Sequence, residues 1–403
     1  MATLLIGTEG GEGLGHVAPW ACLVNQALAR GWQVHIASPN VGQPQQVLGA
    51  DGRVGIWQSP VFGRSSGGAV HPTPKSWPEL LLSLGYGDSA LLGGAVKAWV
   101  NILRHVAPNV VVADYAPALI LAARVVGVAC VEAGMGFCVP PWETPPPCFP
   151  GVRLTDSGAQ IAAAKTLCAS MSAALRASGY SPGLTDVCEL STWPAWRVIT
   201  SIPEMDVYGE RTGVDYAGFL GGNSVVDGAG PTQPLRVFGY LKPGTPGLLG
   251  LIDQLCEAGI AAFVVIPDGL SHPVMQQRGT VTLVNHMVDV QRALRLADVY
   301  LSNGGMHGVG QALVAGRWPV VVPMQAEQVA NARNLVMRQW GAVWLPEVAN
   351  RQGLGIEDAL RRRSSGPRFD ANGPTAEEFL FGKLESILLS VNGVHLDADK
   401  GNT

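Results

Sequence analysis

Charge is scarce in this chain of 403 residues: only 14% are Asp, Glu, Lys or Arg, and 27 basic against 31 acidic side chains leave a formal net charge of −4. There is no polybasic footprint, so an electrostatically held nucleic-acid partner is not expected, and any bound anion must be gripped locally. The seven cysteines (Cys22, Cys130, Cys138, Cys148, Cys168, Cys188, Cys256) are odd in number and never form a C-x-x-C pair. They read as small core residues in a reducing compartment. Long apolar runs are missing too: the longest, residues 110–131, is interrupted by Asp114, Pro117 and Arg124, which argues against a membrane span. The opening residues have no basic n-region and too short an apolar run for a signal peptide, so a cytoplasmic location is expected.

What the chain does have is apolar material, 47% of its residues, over a length that exceeds one ordinary hydrophobic core. Two domains are the simpler expectation. In the N-terminal half, short apolar runs alternate with segments of helical period, the grammar of a parallel sheet wrapped by helices. A strand is expected at residues 3–7, a helix from about His16 to Arg30 closed by Gly31, and a strand at residues 33–37. Residues 109–113, 116–126 and 128–131 repeat strand, helix, glycine and strand. Periodicity vanishes at residues 218–234, rich in Gly and Pro, which read as a linker between an N-terminal domain (1–217) and a C-terminal one (235–373). Strands are expected there from Arg236, Ala261, Val281, Val299 and Pro319, again separated by helices. Residues 374–391 have helical spacing after Pro374, and 392–403 read as a flexible tail.

Two stretches carry chemistry. The first, GTEGGEGLGHVAPW at residues 7–20, is a glycine-rich turn from strand to helix, at the carboxyl end of a strand, where doubly wound folds bind ligands. Gly11 and Gly13 fit a dinucleotide fingerprint, but His16 occupies the third glycine position and the second strand, QVHIASP, ends without an acidic residue. NAD is therefore disfavoured. Asp114 ends a strand on the same rim, and a carboxylate on one imidazole nitrogen would make His16 a competent general base. Alternatively, Asp114 caps the helix that starts near Ala116, and His16 is a capping or solvated residue.

The second stretch spans residues 297–335. Gly304 and Gly305 follow a strand and open a helix, so amides from about Met306 through His307 to Gly308 can meet a diphosphate, unless the glycines only form a tight turn. Glu327 and Gln328 top the next helix, within reach of sugar hydroxyls. The single D-x-D match, Asp397 and Asp399, lies in the polar tail, so no metal is expected.

Over nearly its whole length the chain resembles the nucleotide-sugar glycosyltransferases of the GT-B fold, the superfamily of UDP-glucuronosyltransferases, plant glucosyltransferases and bacterial antibiotic glycosyltransferases. GLGHVAPW, VVADYAPALILAARVVGVACV and the run from Ser302 to Ala332 carry the likeness. It implies two doubly wound Rossmann-like α/β domains facing across a cleft, with the C-terminal helix packing back on the first. By resemblance His16 deprotonates the acceptor, Asp114 partners it, and Gly304 to Gly308 hold the diphosphate. Gln311 falls where the family has a ribose-binding glutamate, Asn303 where it has a phosphate-contacting histidine that His307 could replace, and Glu327-Gln328 where many members have Asp-Gln.

In this fold Gly- and Pro-rich N-terminal segments build the acceptor pocket. Trp57, Phe137 and Trp142 are candidates for it, or are ordinary packing aromatics, and residues 139–150 read as a wall or lid. The implied activity is an inverting, metal-independent sugar transfer from a UDP- or TDP-linked donor to a hydroxyl of a small, apolar acceptor, with no other cofactor. Two alternatives stay open: a nucleotide-binding accessory protein with weakened turnover, and a sugar-nucleotide epimerase. Oligomeric state is not legible.

Overall fold

The computed structural model describes residues 1–10, 13–49, 52–62, 73–152, 157–221, 228–267, 275–346, 356–361 and 374–398. It divides into two compact units, Met1–Gly218 with Pro374–Thr403, and Phe219–Gly373.

In the first unit seven parallel strands, β1 (Thr3–Thr8), β2 (Gln33–Ser38), β3 (Val54–Gln58), β4 (Val110–Asp114), β5 (Ala129–Gly134), β6 (Trp196–Ile199) and β7 (Asp215–Tyr216), form one sheet in the order 3-2-1-4-5-6-7. Helices α1 (Ala21–Ala29), α2 (Gly42–Leu48), α3 (Trp77–Leu81), α4 (Ser89–Val106), α5 (Pro117–Val126) and α6 (Gly158–Ala177) connect and flank the strands. Strands β1 and β4 are buried along their entire length, as the continuous apolar runs TLLIG and VVVA require of strands covered on both faces. Strand order reverses between them. Their register sets Thr8 beside Asp114, so the ends of both strands open at one switch point.

The helix expected from His16 begins later. Residues Gly13–His16 and Ala18–Trp20 are two short 3-10 turns, and α1 starts only at Ala21. Pro19 sits at the start of the second of these turns, where its missing N–H costs nothing.

The second unit carries β8 (Leu235–Tyr240), β9 (Ala262–Val265), β10 (Met275–Arg278), β11 (Val281–Val284), β12 (Ala297–Ser302), β13 (Trp318–Val321) and β14 (Ala342–Val343), ordered 10-11-9-8-12-13-14. Its helices are α7 (Leu248–Glu257), α8 (Val290–Leu296), α9 (Met306–Val314), α10 (Ala326–Met337) and α11 (Ile356–Arg361). Alternate strand residues feed two apolar layers. Val237, Val264, Val299 and Leu301 pack with Leu251, Leu255 and Leu360, while Phe238, Phe263 and Tyr300 pack with Leu294 and Ala312. Antiparallel β10, sequence MQQR, is exposed throughout, so no hydrophobic pattern announced it.

The expected linker is not a neutral spacer. Phe219 already belongs to the second unit, its ring filling the space that Gly310 leaves on α9, and residues 222–227 lie outside the described residues. The last helix, α12 (Ala376–Ala398), packs on the first unit. Its Phe381 is buried against Trp32, ring centroids 4.8 Å apart, with the Arg30 guanidinium 4.2 Å above the ring. The helix continues past residue 392, where a flexible tail was expected, because no proline follows to stop it and propagation costs little once a helix is nucleated. Residues 399–403, including Asp399, lie outside the described residues, as does Gly11. All seven cysteines are free, three of them buried. Among the described residues no helix is long and apolar enough to cross a membrane.

Candidate active site

His16 closes the first 3-10 turn, and its Nδ1 stands 3.1 Å from Asp114 Oδ1. The other carboxylate oxygen, Oδ2, accepts a 2.8 Å hydrogen bond from the indole N–H of Trp20. Asp114 and Trp20 are fully buried, and only 10% of the His16 side chain is exposed. With a donor on each oxygen the carboxylate is held in one orientation, and commitment of Nδ1 to Asp114 makes Nε2 the ring nitrogen suited to act as a base. Asp114 does not cap α5: the N-cap position is Ala116, which makes no side-chain cap.

The α5 cap comes from Glu9, one residue beyond β1. Its Oε1 accepts from Leu119 N at 2.7 Å and Trp99 Nε1 at 2.5 Å, and its Oε2 from Ala118 N at 3.0 Å and Tyr86 O–H at 2.5 Å. Burial pushes this carboxyl up to about 7 against the pull of those four hydrogen bonds. Burial and the neighbouring Glu9 push the Tyr86 phenol up as well, so Tyr86 keeps its proton.

Between Asp114 and α5 stands Tyr115, at φ +53, a left-handed conformation that costs a side-chain-bearing residue roughly 1–2 kcal/mol. Its ring lies 5.7 Å from the imidazole of His16 and meets Trp77 edge-on at 5.2 Å. Trp77 in turn contacts Phe137 at 5.8 Å and Trp142 at 6.5 Å, and its indole N–H binds Phe137 O. Phe137 and Trp142 thus join a buried aromatic wall that reaches His16 through Tyr115 and Trp77. The wall is stiffened from behind. Arg197 ion-pairs with Glu132 at 2.5 Å and donates to Pro140 O, Trp142 donates to Glu132, and Arg211 donates to Val139 O. Trp77, Trp142, Pro141, Pro146 and Tyr208 border a small crevice there. Trp57 is elsewhere, donating to His35 Nδ1 at 3.1 Å with its ring against His105. Strand pairing puts it there: β3 is the edge strand of the sheet, with Trp57 beside Ala37 of β2.

In the second unit Gly304 takes φ +88, a conformation that a side chain would strain. Its N–H donates to Ser302 Oγ and its carbonyl accepts from Asn331 Nδ2, so the turn is pinned from both sides. Gly305 is the N-cap of α9, and the first intrahelical bond runs from Val309 N to Gly305 O. The amides of the preceding turn, Met306 to Gly308, therefore point out of the positive end of the helix dipole. A Cβ on Gly305 would meet open space, which leaves room for an anion at that end.

Gln311 is buried further along α9. Glu327, on the first turn of α10, accepts from Asn331 Nδ2. Gln328 uses its side-chain oxygen to cap α10 through Met324 N and Gln325 N, so any contact with a sugar would come from its amide nitrogen. Asn303 is a structural clamp: it accepts from Lys242 N and donates to Thr245 Oγ1 and Val322 O, tying together three strand ends. His307 stands in the first turn of α9.

The contacts that Trp20, Tyr115 and Glu9 make around His16, Asp114 and α5 were not legible in the sequence. The four partners of Glu9 lie 77 to 110 residues away along the chain, and no local pattern encodes such a meeting.

No family model and no curated protein matches the chain. Solved structures do match along nearly its whole length. The SsfS6 glycosyltransferase of Streptomyces sp. SF2575, complexed with thymidine diphosphate, superposes with a TM-score of 0.61 at 17% identity, covering 97% of this chain and 96% of that one. The spinosyn rhamnosyltransferase SpnG, also complexed with thymidine diphosphate, gives 0.60 at 14% identity over 97% and 96%. Glycosyltransferase VinC in complex with dTDP gives 0.58 at 16% identity over 99% and 100%. SpnG is also known in complex with spinosyn aglycone. At these identities the likeness is one of fold, and the fold is that of the GT-B glycosyltransferases.

Proposed function

We propose that this chain is an inverting, metal-independent glycosyltransferase that moves a sugar from a TDP- or UDP-linked donor to a hydroxyl of a small, apolar acceptor. The observation that carries this reading is the buried arrangement of His16, Asp114 and Trp20 at the switch point of the first sheet. A helix end with open space at Gly305 supports a diphosphate-bearing donor. Thymidine diphosphate in several proteins of the same fold favours TDP as the first nucleotide to test.

In the proposed step, the acceptor oxygen attacks the anomeric carbon on the face opposite the diphosphate. Its proton passes to His16 Nε2 and the bond from carbon to diphosphate oxygen breaks, which inverts the configuration. Asp114 balances the imidazolium, and the amides at the start of α9 meet the charge that develops on the leaving group without requiring a metal. Gln311 would bind the ribose and Glu327 and Gln328 the sugar. The aromatic wall of Trp77, Phe137 and Trp142 would face the acceptor.

The test combines binding and turnover. TDP or UDP at about 100 times its Kd should stabilise the protein by roughly 2.7 kcal/mol, read as a raised Tm. His16→Ala should lower kcat by about 10²–10⁴ and leave nucleotide affinity nearly unchanged. Near-normal turnover in that variant, at saturating substrates, would remove His16 as the base.

A further inference from the structure

Glu9 is buried and belongs to none of the steps above, yet its side chain accepts four hydrogen bonds. Its carboxylate collects four donors from three places: two backbone amides of the first turn of α5, the indole of Trp99 on α4, and the hydroxyl of Tyr86 at the end of the turn Leu82–Tyr86. A glutamine in its place would turn its NH2 toward one of the two backbone amides of α5, because each oxygen of Glu9 accepts from one of them.

Glu9 follows Thr8, whose register partner is Asp114, and α5 begins three residues after Asp114. The chain that leaves Glu9 leads to the 3-10 turn ending at His16, and the chain that enters α5 carries Asp114 and Tyr115. Gly10, next in sequence, lies so close under the ring of Tyr115 that a Cβ there would overlap it, while Tyr115 itself touches the ring of His16. One side chain therefore joins the two strand ends whose separation sets the distance from His16 to Asp114.

We infer that Glu9 is a positioning residue: by binding the N-terminus of α5 with both carboxylate oxygens, it holds the turn bearing His16 in register with the strand end bearing Asp114. This rests on the reading of His16 as the base. A displacement of about 1 Å in a reacting group can cost on the order of 10²-fold in rate, so turnover reads even a small loosening of this tether.

The experiment compares the full chain with Glu9→Gln and Glu9→Asp, using kcat, TDP affinity, Tm and the His16 ring resonances in a histidine-selective NMR spectrum assigned with His16→Ala. Glu9→Gln should lower kcat by about 10²-fold, keep the TDP Kd within about twofold, and move the His16 resonances. Glu9→Asp keeps the charge but is one methylene shorter, and should recover about tenfold of the lost turnover. If Glu9→Gln does not fold, Tyr86→Phe takes its place, since it removes one donor and leaves the carboxylate three; a smaller drop, roughly threefold, is then expected together with moved His16 resonances. Unmoved His16 resonances in the variants that fold overturn the inference, whatever the turnover. Moved resonances with unaltered kcat would leave the tether standing and count against His16 as the base.

Discussion

Replacing Asp114 by Asn turns one oxygen of a buried carboxylate into an amide nitrogen, and the two donors that meet that carboxylate constrain the outcome. Trp20 Nε1 can only donate, so it demands the amide oxygen on its side. The amide nitrogen must then face His16 Nδ1, which becomes an acceptor, and the imidazole proton moves to Nε2, the nitrogen that the mechanism needs as a base. The opposite amide orientation keeps the productive tautomer but leaves the indole N–H of Trp20 buried and unsatisfied, at a cost of about 1–3 kcal/mol. At 1.4 kcal/mol per factor of ten, the productive form is outweighed roughly 5- to 150-fold. Loss of the carboxylate's charge beside the imidazolium adds to this, so kcat should fall by about 10²–10⁴ with donor affinity unchanged. The geometry also predicts a partial rescue: in Asp114→Asn with Trp20→Phe the indole donor is gone, the amide can turn its oxygen to His16, and about tenfold of the lost kcat should return. The assay is steady-state turnover at saturating donor and acceptor, or donor hydrolysis where no acceptor is known, with Tm measured to confirm folding. An Asp114→Asn enzyme within threefold of the parent, or a double variant no better than Asp114→Asn, would refute the reasoning.

Gly305→Asp should weaken TDP binding by at least about tenfold in calorimetry without lowering Tm, because the new side chain enters open space and its charge opposes an anion at the start of α9. Asn303→Ala should lower Tm, since it leaves Lys242 N, Thr245 Oγ1 and Val322 O without their shared partner, a loss of about 1–3 kcal/mol for the buried groups. TDP affinity in that variant should fall no more than Tm implies.

The architecture was readable from the sequence because it is written locally. Apolar runs such as VVVA mark strands buried on both faces, and helical period with Gly31 or Gly127 at the end marks the crossovers. The recurrence of that grammar in both halves marks two sheets. The places of Asp114 at a strand end, of Gly304 and Gly305 in the turn after one, and of His16 in the glycine-rich turn after β1 were legible for the same reason. Local pattern also misled. Two 3-10 turns stand where the period of residues 16–30 suggested the start of a helix, and strand β10 had no apolar face to betray it.

Partnership was decided only by the tertiary structure. Sequence left open whether Asp114 capped α5 or held His16. The fold settles its contacts by bringing Glu9 to the helix end and Trp20 to the second oxygen of Asp114. Likewise it sends Trp57 to His35, sets Phe137 and Trp142 against Trp77, and commits Asn303 to clamping three strand ends. The physical reason is common to all of these. Secondary structure follows from backbone preferences and burial over a few neighbouring residues, whereas a buried polar group is satisfied by whatever donor the packed fold delivers, often from a hundred residues away.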